Sequence, residues 1–145
     1  MIKNEREYKI SKSWLAKFKT SLKAARARQP KDANDAERLQ VRADGIESQL
    51  EELKEEIAAY EALKSGQTHS FTVHNLADLP SVLIQARVAR GLTHKALAEK
   101  LGVSEKQVQR DEANDYQTAG LNRLINVAEV LGVSVEVKAE LLKAS

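Results

Sequence analysis

Between residues 105 and 110 the chain places Glu105, Lys106, Gln107, Gln109 and Arg110 around one aliphatic residue, Val108. On a helix, Val108 would turn inward and the others would stand on the wet face, with Gln107 at its margin and Ala113 at its end. These are the donors and acceptors that pair with base edges in a duplex groove. Arg110 can bond bidentately to guanine, Lys106 can do the same or take a phosphate, and Gln109 or Gln107 can read adenine. Glu105 would accept from cytosine or repel phosphates. The same five residues would also make an ordinary polar helix face, so the surrounding elements must decide.

Other chemistries find little support. The chain has no cysteine, which removes disulfides and thiolate zinc sites. Its histidines, His69, His74 and His94, have no HExxH spacing and no clustered carboxylates, so no metal site and no cofactor is expected. No paired carboxylates, nucleophile–base arrangement or phosphate loop appears, and an enzyme is not expected. The opening residues alternate charges, and no later stretch approaches the roughly 18–20 apolar residues of a membrane span. The expectation is a cytoplasmic chain with no signal peptide and no membrane partner.

The net charge of +2 hides an uneven distribution. Residues 1–31 hold ten Lys/Arg against two Asp/Glu, residues 32–64 hold four against ten, and residues 65–145 hold nine against nine. Adjacent blocks of opposite sign suggest partners in one hairpin or dimer more than a tail seeking nucleic acid, although solvated helix faces would look the same.

The first half carries two narrow apolar seams. Tyr8, Ser11, Leu15, Phe18, Leu22 and Ala25 follow one another at alternating steps of 3 and 4, with Trp14 widening the stripe. After Pro30 the pattern resumes through Leu39, Ala43, Ile46, Leu50, Leu53, Ile57 and Tyr60. A 3.5-residue period is buried only by wrapping one helix on another. Pro30 supplies a stop, and Asp32, Asn34 and Asp35 supply possible N-caps. Folding back there sets the basic helix antiparallel to the acidic one, giving a coiled-coil-like hairpin over residues 1–64. A two-helix hairpin leaves Trp14, Phe18 and Leu22 only partly covered, so a homodimer is expected, with Trp14, Leu15, Phe18, Leu22, Leu39, Ile46, Leu50, Leu53, Ile57 and Tyr60 as dimer or partner interface. Packing of the hairpin on the C-terminal domain is the alternative.

Residues 65–77 read as a linker: Ser-Gly-Gln-Thr-His is a hinge composition, and Phe71–Val73 could be a short extended piece or an apolar anchor. Asp78 reads as the cap of a helix with Pro80 in its first turn. From there to residue 145 the apolar periods shorten into five compact helices. The first ends at Gly91, and the second, capped by Thr93, ends at Gly102. The third is capped by Ser104 with Val108 inside, and the fourth runs from Leu121 to Leu131. The last is short, capped by Ser134, with Val137 and Leu141 inward. The expected fold is all-α, with little room for a cleft.

The order Gly91-Leu92-Thr93-His94, Leu97-Ala98, Leu101-Gly102-Val103-Ser104, Val108, Arg110 and Glu112, followed by Leu124 through Ser134, resembles the five-helix, lambda-repressor-like DNA-binding domain of the XRE family of phage-repressor-like regulators. The resemblance spans about Leu79 to Leu142. It implies double-stranded DNA as partner, with residues 104–112 as the reading helix and Glu105, Lys106, Gln107, Gln109 and Arg110 as base-contact candidates. It also implies backbone contacts from Thr93, His94, Asn114 and Arg123, and an internal ion pair between Arg87 and Glu112. Two departures stand out: Asp111 occupies a place where the family more often has a large apolar or aromatic residue, and Ala113-Asn114-Asp115 replaces the common Asn-Gly, leaving Tyr116 to fill space. The functional expectation is a sequence-specific transcriptional regulator, a repressor. An antitoxin that holds a cognate toxin through the hairpin, and an adaptor that binds protein with the same fold, are the alternatives.

Overall fold

The computed structural model describes residues 1–144. They form two units, Met1–His69 and the chain from Ser70 onward.

The first unit is a pair of antiparallel helices, α1 (Glu5–Ala27) and α2 (Ala33–Lys64). Both start with the same device. Asn4 Oδ1 accepts from the Glu7 N–H at 2.9 Å while Glu7 accepts from the Lys3 N–H at 2.8 Å. Asp32 Oδ1 accepts from the Asp35 N–H at 2.8 Å while Asp35 accepts from the Lys31 N–H at 2.9 Å. Each reciprocal pair satisfies N–H groups that a helix start leaves open, and puts negative charge at the positive end of the dipole. Pro30 keeps the chain extended between the helices, where Arg28 has already left helical geometry.

Leu22, Ala43 and Leu50 form the centre of the hairpin, flanked by Leu15, Phe18, Ala25 and Ile46. Toward the chain's start, Ile2, Ile57, Tyr60 and Leu63 are buried. There Tyr8 stacks on Tyr60 at 5.0 Å, and the Tyr8 hydroxyl donates to Glu61 at 2.6 Å. The charged blocks meet in Arg26–Glu47 at 2.9 Å and Lys12–Glu61 at 3.7 Å. These pairs lie at the surface, so they favour the antiparallel register more than they stabilise it. Of the expected interface residues, Leu22, Leu50, Ile57 and Tyr60 are buried within the hairpin and Leu15, Phe18, Leu39, Ile46 and Leu53 are half-buried. Trp14 remains 48% exposed, beside Ile10 at 47%.

The second unit opens with a 3-10 turn at Leu76–Asp78, followed by α3 (Leu79–Ala89), α4 (His94–Leu101), α5 (Glu105–Ala113) and α6 (Leu121–Leu131). Leu83, Ile84, Leu97, Val108 and Val127 are its innermost side chains, with Ala98, Tyr116 and Leu131 around them. Two expectations need correction. Asp78 precedes α3 but makes no side-chain cap, because the 3-10 turn already holds its backbone in helical geometry. The fifth helix is absent: residues 133–144 carry no helix, and Leu141 and Leu142 are fully exposed. Val135 and Val137 are poor helix formers, and a helix this short stands only when its apolar face has something to pack against. The domain therefore has four helices among the described residues.

Candidate nucleic-acid interface

Helices α4 and α5 are joined by a three-residue turn. Gly102 sits at φ +69°, a left-handed conformation that an L side chain resists, and the Val103 N–H returns to the Ala98 carbonyl at 3.1 Å. Thr93 Oγ1 accepts from the Ala96 N–H at 3.1 Å, and Ser104 Oγ from the Gln107 N–H at 3.2 Å, so both helices start with a filled cap. Ala98 is buried, and its small side chain permits the close approach of the helices.

Val108 is 1% exposed and sets the rotation of α5. Glu105, Lys106, Gln109 and Arg110 consequently stand on its exposed side, and Gln107 is half-buried at the edge. The exposed side chains are partly organised already: Gln109 Nε2 donates to Glu105 at 3.1 Å.

The far end of α5 is tied down by charge. Arg87 on α3 grips Glu112 with two hydrogen bonds, Nε to Oε1 at 2.5 Å and Nη2 to Oε2 at 2.7 Å, and gives Nη1 to the Leu92 carbonyl at 2.7 Å. Both side chains are buried. His94 joins them, its Nε2 lying 2.9 Å from Glu112 Oε2. Burial pushes the Glu112 carboxyl up, but the hydrogen bonds from His94 and Arg87 outweigh it and hold the group below the ordinary carboxylate range.

Not all the backbone-contact candidates face outward. Thr93 is exposed, with its hydroxyl oxygen engaged in the cap. His94 has one ring nitrogen engaged with Glu112 and only the other left for an outside partner. Arg123 is turned toward buried Asp111, Nε to Oδ2 at 3.6 Å. Asn114 closes α5 and donates to Thr118 at 3.2 Å, while its Oδ1 is buried and accepts no hydrogen bond among the described residues.

Of three further contributions, the space-filling of Tyr116 was expected from the sequence, whereas the partners of Asp111 and the role of Arg90 were not named there. Asp111 is buried and accepts from Gln107 Nε2 at 2.7 Å. Arg90 donates to the Leu131 and Gly132 carbonyls at 3.0 and 3.3 Å, placing a cation at the C-terminal end of α6. Tyr116 is buried, and burial first, then Glu112 and Asp111, raise its hydroxyl above the ordinary tyrosine range. Gln107 and Asp111 are an i,i+4 pair within α5, but the contacts of Arg123 with Asp111 and of Arg90 with the end of α6 have no local spacing signal, since only the fold brings those residues together.

Among the described residues, no group of three or more His, Asp or Glu could hold a metal ion, and no helix is long and apolar enough to cross a membrane. The Helix-turn-helix family matches residues 83–138. No curated protein and no solved structure gives a match. The matched span contains the α4–turn–α5 unit with its filled caps and exposed α5 face, and domains of this family serve regulators rather than catalysts. The C-terminal region of the chain thus carries an XRE-like helix-turn-helix domain, which supports a DNA-binding, transcriptional-regulator-like function.

Proposed function

We propose that the protein is a sequence-specific double-stranded DNA-binding repressor, with α5 entering the major groove. The observation that carries this reading is the division of α5 into two sides. Val108, Asp111 and Glu112 are buried on one, and Glu105, Lys106, Gln109 and Arg110 stand free of the core on the other. A helix clamped in this way projects donors and acceptors at a fixed angle, as groove reading requires. Lys106 and Arg110 take guanine or phosphate, Gln109 reads adenine, and Glu105 favours cytosine and disfavours misplaced phosphates. Thr93 and the free ring nitrogen of His94 approach one phosphate at the start of α4, and Asn114 and Arg123 border the other end of α5. Repression needs no surface beyond occupancy of a promoter.

The hairpin pairs two copies of the chain. Ile10 and Trp14 leave apolar area exposed on α1, and the basic α1 of one copy complements the acidic α2 of the other. Two reading helices then address an inverted repeat.

Selection of random duplexes with the full chain, beside Arg110→Ala, tests both parts. An enriched inverted repeat whose sequence preference weakens in the variant supports the reading. No enrichment at low salt, where phosphate contacts are strongest, refutes it.

A further inference from the structure

The interior of α5 offers an account of Asp111. Its carboxylate is 5% exposed, a costly position for a charge that does no work. One oxygen accepts from Gln107 Nε2 at 2.7 Å, and the other lies 3.6 Å from Arg123 Nε on α6. A carboxylate only accepts, so the amide of Gln107 has one permitted orientation: nitrogen toward Asp111, oxygen away from it. That oxygen lies 3.4 Å from Arg110 Nη2, a long contact that steers the guanidinium without locking it. The path therefore runs from α6 through a buried charge to the exposed edge of α5, from Arg123 to Asp111 to Gln107 to Arg110.

We propose that Asp111 is a positioning residue for base reading: it orients the Gln107 amide, which aims the Arg110 guanidinium at the guanine of one base pair. This rests on the DNA-binding reading of α5. A free arginine side chain samples many rotamers, and a guanine edge demands one planar approach. An arginine held near that approach gives up less freedom on binding the correct base, and gains nothing with a wrong one. Gln107 is thus a holder of the reader more than a reader itself.

The test is quantitative selection and competition binding with the full chain, comparing wild type, Asp111→Asn, Arg110→Ala and the double variant. Asparagine keeps the shape but can donate as well as accept, so the Gln107 amide loses its fixed sense. The expected result is a loss of about three- to tenfold in base preference at the one position that Arg110→Ala flattens. The other positions and non-cognate affinity stay unchanged, and no further loss appears in the Arg110→Ala background. Gln107→Met supplies a second arm that leaves the buried carboxylate in place, and it should flatten the same position. Unchanged preference there in both variants overturns the proposal, as does equal flattening of every position, which would mean general loosening of α5. A different position lost in Gln107→Met makes Gln107 an independent reader and also overturns it. If wild type enriches no duplex, the DNA-binding reading falls and takes this proposal with it. An enriched site with unmoved preference removes this proposal alone.

Discussion

Replacing Glu112 by glutamine keeps the shape of the side chain and removes its charge. In the native unit that carboxylate receives two hydrogen bonds from Arg87 and faces His94 Nε2, with Arg87 and Glu112 both buried. A glutamine can accept through one atom only, and its NH2 group is set against donors. Arg87 keeps its bond to the Leu92 carbonyl but loses the charge of the Glu112 carboxylate while staying buried. Breaking one side of a buried pair costs about 3–5 kcal/mol. A unit of this size holds about 4–11 kcal/mol in total, so the variant should stand near the edge of folding. At about 4–8 °C per kcal/mol, the midpoint should fall by about 12–40 °C.

Trp14 is the chain's only tryptophan and lies in α1, so its fluorescence reports on the hairpin. The helix-turn-helix unit is better followed by hydrogen exchange of peptides spanning α3 and α5, alongside calorimetry. Those peptides should lose protection together, and duplex affinity should fall with them. The cause is separable from simple loss of packing. Arg87→Met in the Glu112→Gln background removes the buried cation whose carboxylate was lost, and should recover about 1–3 kcal/mol relative to the sum of the two single changes. A midpoint shift below about 5 °C, or strict additivity in the cycle, would refute the argument that buried charge holds α5 in place.

The remaining expectations concern acid, the turn and the hairpin. Because the folded Glu112 carboxyl lies below its ordinary value, its contribution is fully present above about pH 4.3 and is lost as pH falls through the folded value. Wild-type midpoints should therefore drop more steeply below about pH 4 than those of Glu112→Gln, and parallel curves would contradict the sign. Gly102→Ala meets nothing within 4 Å of the new Cβ, so its cost is backbone strain at φ +69°, about 1–2 kcal/mol. Denaturant unfolding should show that loss, and an unchanged midpoint would mean the turn relaxes. Trp14→Ser should weaken self-association about tenfold or more in analytical ultracentrifugation, and an unaltered sedimentation profile would place the dimer elsewhere or dispense with it.

The hairpin was legible because its information is local and periodic. The alternation of 3 and 4 from Tyr8 to Ala25 and from Leu39 to Tyr60 names both helices, and the opposite charge blocks name their partner. The start of α1 was not, since the Asn4–Glu7 reciprocal cap precedes any apolar repeat. The absent fifth helix shows the converse. Val137 and Leu141 are one helical turn apart, but spacing says nothing about whether a surface exists to receive them, and both are exposed. In α5, Val108 alone is enough to sort outer from inner residues. What sequence could not show is which outer residues are already engaged: Arg123 lies twelve residues from Asp111, and Arg90 reaches the end of α6, contacts that only tertiary folding creates.

The two departures from the resembled family have a common physical explanation. A large apolar side chain expected at position 111 is replaced by a carboxylate, which alone would leave the end of α5 underpacked. Immediately beyond, where Asn-Gly is missing, Asp115 and Tyr116 both take left-handed backbone, at φ 53° and 57°. Each such residue costs about 1–2 kcal/mol relative to glycine. The turn they make carries the Tyr116 N–H to the Asp111 carbonyl at 2.6 Å and delivers the tyrosine ring into the core, 3% exposed. Burying a ring of that size returns about 1.5–3 kcal/mol, enough to offset most of the strain. The aromatic volume has moved five residues along the chain, leaving position 111 free to carry a charge toward Gln107 and Arg123. A strained turn without glycine is thus the structural condition for a buried aspartate behind the exposed face of α5.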